Sequence, residues 1–317
     1  MKKKSRNRTL IILLSVIASI FLLIIGSTFT YSHYLYSKVN TVNINRDDVL
    51  NENNKQEKSS DIINIGLFGV DRVDGDVGLS DCNMILTINN NTNQIKVCSI
   101  MRDTLVNIPD NGTMIINHAM LGGGPQLMLK TINQNFNLTL DTFVSVNLNT
   151  LPQIIDKLGG IEMTVENNEF KHINNYIKDL NNKNSTSASL LNNPGKQLLN
   201  GTQATAYARV RYTEGSDFRR TQRQRDLFTA MAQKLSTLSI SNLNSFVNEV
   251  LPLVSTNLSY NEILSIGTTV LQVGTSNIQQ NRFPNDGDWS KGSINGNYGL
   301  KIDMDSTTNK IHDFIYN

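Results

Sequence analysis

The sequence predicts an α/β protein, a layered α-β-α fold with a central mixed β-sheet, preceded by one N-terminal transmembrane helix. Three observations carry this. Runs of β-branched residues alternate along the chain with segments of helical hydrophobic period, as expected of a sheet covered by helices rather than of an all-β or bundled design. Residues 10–31 contain no charged side chain, whereas residues 1–9 carry Lys2, Lys3, Lys4, Arg6 and Arg8. A chain of 317 residues, 39% hydrophobic and 18% charged, can bury a sizeable core, which excludes wholesale disorder and a polytopic membrane protein. Two cysteines exclude a disulfide-rich scaffold and a Cys-rich zinc site.

Leu10 to Tyr31 (LIILLSVIASIFLLIIGSTFTY) would form a helix roughly 33 Å long, enough to cross a hydrocarbon core. The cationic residues before it place a tail, residues 1–9, in the cytoplasm, and the rest of the chain outside a single-pass anchor in the cell membrane. The segment is longer than the apolar region of a cleavable signal, and no A-x-A site follows it. Residues 32–60 are mostly polar and read as an extracellular stalk. Past the tail the chain carries 24 basic and 27 acidic residues, a net charge of −3. The overall pI therefore does not point to nucleic acid, and the tail is too short for a DNA-binding domain.

Asp61–Val70 (DIINIGLFGV) reads as a buried central strand. Asn83–Ile88 and Ile95–Ile100 flank a polar turn, the pattern of a hairpin. Across it Cys82 and Cys98 either face each other or pack as independent thiols, the second being the safer reading. Pro125–Phe136 reads as a helix after Gly122-Gly123-Gly124. Asn149 is a plausible N-cap for a helix through Leu158, ended by Gly159-Gly160 before a strand at Ile161–Val165. The polar, Asn-rich stretch 171–195 reads as an inserted loop. Helical patterns follow at Asp217–Leu238, 242–254 and 260–273, then a strand near Ile278–Phe283 and a final helix near Thr307–Tyr316.

Six of the twelve arginines lie between positions 209 and 225. Such a cluster is commonly a solvated helix face laced with ion pairs. Helical geometry argues otherwise here. At about 100° per residue, Leu227, Phe228, Met231, Leu235 and Leu238 form one stripe, and Arg220 and Gln224 extend it. Arg223 sits near its edge, while Arg219 and Arg225 point toward solvent. A core-facing stripe that ends in Arg and Gln puts a charge where burial is costly without an acidic or anionic partner. Arg209 and Arg211, two apart, would share a face on an extended backbone. The planar guanidinium suits bidentate phosphate contact, so the cluster points to a phosphate or pyrophosphate ligand.

Asp71 ends a buried strand, Asp81 sits in the loop entering the next, and Asp103 follows Arg102 at a strand exit, where open α/β sheets place ligands. Two carboxylates beside a diphosphate suit Mg²⁺. The four histidines lack metal spacing, the LGGGP run lacks a nucleotide loop's Lys-Ser/Thr, and no G-x-S-x-G or Cys–His arrangement supports a nucleophilic hydrolase.

Taken in order, IGLFGVDR, SDCNMILTI, VCSIMRDTLVNIP, INHAMLGGGPQ, FVSVNLNTLPQIIDKLGGIEMTV, LLNGTQATAYARVRY and GSDFRRTQRQRDLF resemble the LytR–CpsA–Psr family of cell-wall glycopolymer ligases. The resemblance covers a catalytic core at 61–238 and leaves 239–317 as an extension packed on the same domain. It implies a transferase joining a glycopolymer from a polyprenyl-pyrophosphate carrier to peptidoglycan through a phosphodiester, with Mg²⁺ as cofactor. Carried over by residue, Asp71 and Asp81 become the Mg²⁺ carboxylates, and Arg72, Arg102, Arg209, Arg211, Arg220 and Gln224 grip the pyrophosphate. Asp81, Arg102 and Asp217 become the catalytic residues, Asp81 taking the acceptor's proton. Leu79 stands where many members carry a basic residue, Cys82 replaces the usual threonine and Met101 the usual proline. Two rival readings are a catalytically inactive lipid- or wall-binding protein, kept open by Leu79, and an envelope-related transcriptional attenuator, opposed by the short tail.

Overall fold

The computed structural model describes Tyr34 and residues 37–50, 61–71, 78–212 and 215–317. The expected tail (1–9) and transmembrane helix (10–31), most of the stalk and Arg72 lie outside the described residues. Among the described residues no helix is long and apolar enough to cross a membrane. Residues up to Val39 form one unit, in which Ser37 Oγ donates to the Tyr34 carbonyl at 2.7 Å. The second unit spans Asn40–Asn317.

That unit begins with β1 (Asn40–Thr41) and α1 (Arg46–Val49), followed by β2 (Ile62–Val70), β3 (Ser80–Asn89) and β4 (Gln94–Ile100). A hairpin of β5 (Leu105–Ile108) and β6 (Gly112–Ile115) leads to α2 (His118–Phe136), β7 (Phe143–Asn147), α3 (Thr150–Lys157) and β8 (Ile161–Val165). Next come α4 (Phe170–Asn184), β9 (Gly195–Leu199), α5 (Gly201–Arg209), α6 (Ser216–Ser236) and α7 (Ile240–Val250). The chain closes with β10 (Ser255–Thr256), α8 (Tyr260–Val273), β11 (Ile278–Phe283), the hairpin β12 (Trp289–Ile294) and β13 (Asn297–Ile302), and α9 (Met304–Tyr316).

A mixed sheet in the order β1-β10-β7-β2-β3-β4-β11 forms the middle layer. β2 lies at its centre, antiparallel to β3 and parallel to β7, and β11 runs parallel to β4 along the far edge. Alternation along the strands sorts the side chains into two layers. Phe68, Val70, Ile85 and Ile100 pack with Met128, Leu129 and Ile132 of α2 and with Ile311 and Ile315 of α9. Met84, Ile88 and Val97 face the other way, against Phe228 and Ala232 of α6 and Ile266 and Val270 of α8. Cys98 belongs to the first layer and Cys82 to the second, so the two thiols lie on opposite faces of the sheet and both are free.

Several elements differ from the sequence reading. Most of the stretch taken as a loop at 171–195 is helix α4, whose Ile173, Ile177 and Leu180 are buried at i, i+4 and i+7. Its asparagines dilute the periodicity, and Asn174 and Asn181 fasten the segment that follows by bonding to Leu191 and Ala188. The helix expected from Pro125 begins at His118, and its two segments meet at a kink where Gly124 adopts φ 62°. Arg209 ends helix α5, so Arg209 and Arg211 do not share an extended strand. Asn200 caps α5 in a reciprocal pair with Gln203. Only glycine fits at position 201, because a Cβ there would lie 1.9 Å from the Pro152 carbonyl oxygen.

One contact ties the start of this unit to its second helical layer. Arg46 Nη1 and Nη2 donate to Glu262 Oε1 and Oε2 at 2.5 and 2.9 Å, and Glu262 also completes the N-terminal cap of α8 with Ser259. The guanidinium holds the Glu262 carboxyl down at about 2. A depressed acid stabilises the fold above its unfolded value, near 4.5, and that contribution is lost as pH falls toward 2. Both side chains are about one-third exposed, so the pair contributes about 1 kcal/mol or less. Glu262→Gln is expected to lower the Tm at pH 7 by roughly 2–4 °C and to leave it unchanged at pH 2, as measured by thermal unfolding.

Candidate active site

Three strand ends meet at one edge of the sheet. β2 runs out into Asp71, whose backbone N–H donates to the Leu79 carbonyl at 2.9 Å. Asp81 lies at the start of β3, and Arg102-Asp103 follow β4. The fourth contribution is the first turn of α6, entered through Gly215 at φ 81°, which brings Asp217 and Arg220 to the same place.

The side chains interlock through charge. Arg102 Nη1 donates to Asp81 Oδ1, and Arg102 Nε lies 3.3 Å from Asp103 Oδ1 and 3.6 Å from Asp217 Oδ1. Arg220 Nη2 is 2.7 Å from Asp217 Oδ1, and its Nη1 is 3.7 Å from Asp81 Oδ1. Arg211 Nε approaches Asp217 Oδ1 to 3.7 Å, and Gln224 Nε2 donates to the Asp81 carbonyl at 3.3 Å. Despite these short approaches, Arg102 Nε, Arg220 Nε and Nη2, and both carboxylate oxygens of Asp217 are buried without a well-aligned hydrogen bond. Buried polar groups left in that state are rare and costly unless a ligand completes them.

Burial and charge push these groups in different directions. Burial opposes the charge of Arg102, but Asp217, Asp81 and Asp103 together outweigh it and hold its pKa above the ordinary value. For Arg220, burial prevails over Asp217 and Asp81, and the pKa falls. Burial also pushes the Asp103 carboxyl above the usual carboxylate range, against the pull of Arg102.

The arginine cluster of the sequence thus divides. Arg211 and Arg220 join Arg102, whereas Arg209 donates from Nη1 to Asp179 at 3.1 Å while still bordering the same cavity. Arg223 is fully buried on Glu169 and donates to the Val210 carbonyl at 3.0 Å, and Arg219 pairs with Glu166. Arg225, expected to face solvent, is only 3% exposed. It donates to Ser99 Oγ at 3.0 Å, because β4 packs against that flank of α6. Asp103 is the member of the cluster that the site assignment left out, although its place after Arg102 was the signal for it.

Beyond the charged mouth lies a cavity of about 360 Å³. Leu67, Met84, Val144 and Val146 of the sheet form one wall, with Leu227, Phe228, Met231 and Leu235 of α6 opposite. Asp71, Asp81, Arg209, Arg211, Arg220 and Gln224 also border it. The stripe that reads as core in the sequence is therefore partly the lining of a hollow.

Residues from the C-terminal part of the chain hold Arg102 in place. Met101 N donates to the Phe283 carbonyl at 2.9 Å, and Leu300 N donates to the Asp103 carbonyl at 2.8 Å. At Gly299 a Cβ would sit 2.5 Å from that Asp103 oxygen and 2.7 Å from Ile115 Cγ2. Gly299→Ala must push the Arg102-Asp103 backbone away, with a stability cost of about 1–3 kcal/mol. We expect a drop in turnover of about tenfold or more from the displaced arginine. Gly296→Ala, where no atom lies within 4 Å but φ is 85°, would control for local backbone strain in the same hairpin, measured by Tm and by turnover.

The donor set is compatible with a magnesium ion brought by an anionic ligand. Among the described residues no group of three or more His, Cys, Asp or Glu side chains can hold a metal alone. Asp71 and Asp81 border the cavity together, the one or two carboxylates that Mg²⁺ takes when phosphate oxygens complete its shell. Asp81, Asp103 and Asp217 already balance Arg102, Arg211 and Arg220, so the cluster has little positive charge to spare for a diphosphate.

An arginine–carboxylate cluster at the mouth of an apolar cavity, on this mixed sheet, makes the chain an α/β protein with a site suited to an anionic group on an apolar tail. Residues 30–312 match the LytR_cpsA_psr family, and the chain belongs to it. It is similar to the polyisoprenyl-teichoic acid–peptidoglycan teichoic acid transferase TagU of Bacillus licheniformis, 30% identical over 314 residues, 96% of this chain and 95% of that protein. The TagU of Oceanobacillus iheyensis is 33% identical over 266 residues, 80% of this chain and 78% of that protein. The fold matches the solved structure of the LytR-CPS2A-psr family protein YwtF (TagT) with bound octaprenyl pyrophosphate lipid. That match has a TM-score of 0.60 at 23% identity and covers 81% of this chain and 91% of that one.

Proposed function

We propose that this protein transfers a glycopolymer from a polyprenyl-pyrophosphate carrier to peptidoglycan, forming a phosphodiester bond. The observation that carries the reading is the junction of an apolar cavity with buried guanidinium N–H groups that make no aligned hydrogen bond. A lipid chain fits the cavity, its diphosphate meets the arginines, and the glycan extends outward. The relatives' activity, as named, is of this kind.

In the reaction a hydroxyl oxygen of the acceptor attacks the phosphorus that bears the glycopolymer. The bond from that phosphorus to the bridging oxygen breaks, and polyprenyl monophosphate leaves. Arg102, Arg211 and Arg220 stabilise the charge gathering on the leaving phosphate, the main source of catalysis in phosphoryl transfer. The hydroxyl proton passes to a carboxylate. Asp81, the expected base, borders the cavity; Asp103, whose carboxyl burial pushes above the usual carboxylate range, is a second candidate beside it. Magnesium, held by Asp71 and Asp81 when bound, would neutralise part of the diphosphate charge. The sequence supports a location outside the cell membrane, anchored by residues 10–31 with the N-terminus in the cytoplasm.

The test is release of polyprenyl monophosphate from a lipid-linked glycopolymer by the purified protein, with and without Mg²⁺ and peptidoglycan. Release that requires the acceptor supports the transferase. Binding of the lipid with no release under any condition would instead leave a carrier-binding protein.

A further inference from the structure

We propose that Tyr212 and His172 form a sugar-binding subsite, which takes the first pyranose of the donor, the one attached to the diphosphate. This rests on the transferase reading. The observation behind it is an aromatic pair just outside the cavity, with Tyr212 directly following Arg211 in the chain.

Tyr212 is 73% exposed, although its neighbour Arg211 reaches to 3.7 Å from Asp217. Its ring does not stand alone. The His172 ring lies 6.1 Å away, centroid to centroid, and tilted by 36°. His172 belongs to a face of α4 that also carries Tyr176 and Asp179, at i+4 and i+7. Tyr176 borders the cavity with the Arg209 guanidinium over its ring at 5.2 Å, and Asp179 accepts from Arg209 at 3.1 Å. One helix face therefore sets a mouth arginine and, one turn away, presents the aromatic pair.

Connectivity of the substrate supplies the occupant. Lipid, diphosphate and sugar are joined in that order, so a lipid in the cavity and phosphates at Arg209, Arg211 and Arg220 leave the first sugar at the rim. A pyranose has one face of polarised C–H bonds, which pairs with the negative face of an aromatic ring. Its hydroxyl or acetamido groups meet the phenol and imidazole at the ring edges. Water-exposed tyrosine is ordinary when scattered, but here it leans, tilted by 36°, toward a second ring next to Arg211.

Isothermal titration with the full chain in detergent would compare two probes, polyprenyl diphosphate and polyprenyl diphosphate N-acetylhexosamine. The wild type is expected to bind the sugar-bearing probe about tenfold more tightly. Tyr212→Ala should erase that difference while keeping the Kd for the bare diphosphate within about twofold, and Tyr212→Trp should keep it. The subsite is overturned if the wild type binds both probes equally, if Tyr212→Ala leaves the difference intact, or if it weakens both probes alike. A wild type that binds neither probe would overturn the transferase reading as well.

Discussion

Arg102→Ala is expected to lower the rate of polyprenyl phosphate release by about 10²–10³-fold while the chain still folds. Among the described residues, Arg102 is the one side chain that pairs with all three carboxylates of the cluster, Asp81, Asp103 and Asp217. It also has a buried Nε without an aligned acceptor, the feature of a group waiting for an anion. Its backbone is pinned on both sides by Phe283 and Leu300, so the guanidinium is held in place before any ligand arrives. Removing it takes away preorganised positive charge where the leaving phosphate develops its own. Lysine should not restore the rate, since a single ammonium cannot serve three carboxylates and a phosphate in one plane. Single-turnover measurements with a lipid-linked glycan would test this, and wild-type turnover in the mutant would falsify the assignment.

Arg220→Ala should be the more damaging change, because it removes structure as well as charge. The Arg220 side chain is only 2% exposed and that of Asp217 is 15% exposed, so the carboxylate left behind is poorly hydrated. Breaking such a pair costs about 3 kcal/mol, at the lower end for buried ion pairs because Asp217 keeps some contact with solvent. That corresponds to a Tm roughly 6–12 °C lower, along with loss of release activity. Arg220→Met combined with Asp217→Asn would separate the two effects. The double variant should recover most of the stability and none of the activity, whereas recovered activity would mean that the pair serves only the fold.

Periodicity alone placed Arg220 and Gln224 on the inward stripe of α6, and the structure puts both at the cavity mouth. The same reasoning failed for Arg225. A helical wheel assumes one buried flank, but β4 covers a second flank of α6 and Ser99 receives that guanidinium. Arg223 is satisfied by Glu169, at the start of a helix concealed in an Asn-rich stretch that reads as loop. Leu227, Phe228, Met231 and Leu235 show why an apolar hollow is hard to read from a sequence. Their pattern requires an apolar neighbourhood, but whether that neighbourhood is filled depends on side chains from α7 and the sheet. The central strands were legible because a buried run such as Ile62–Val70 carries its signal locally. The hairpin β12–β13 was not, since its strands are half-exposed and polar, with value only where Leu300 meets Asp103.

That meeting also sets an order of events. The backbone on either side of Arg102 is completed by Phe283 and Leu300, which lie near the far end of the chain. β11 joins β4 in parallel, a pairing that no local hairpin can nucleate and that must wait for the intervening helices. A chain emerging N-terminus first therefore carries Arg102 long before the strands that fix its backbone. The backbone around Arg102 is complete only once Phe283 and Leu300 have joined the rest of the unit.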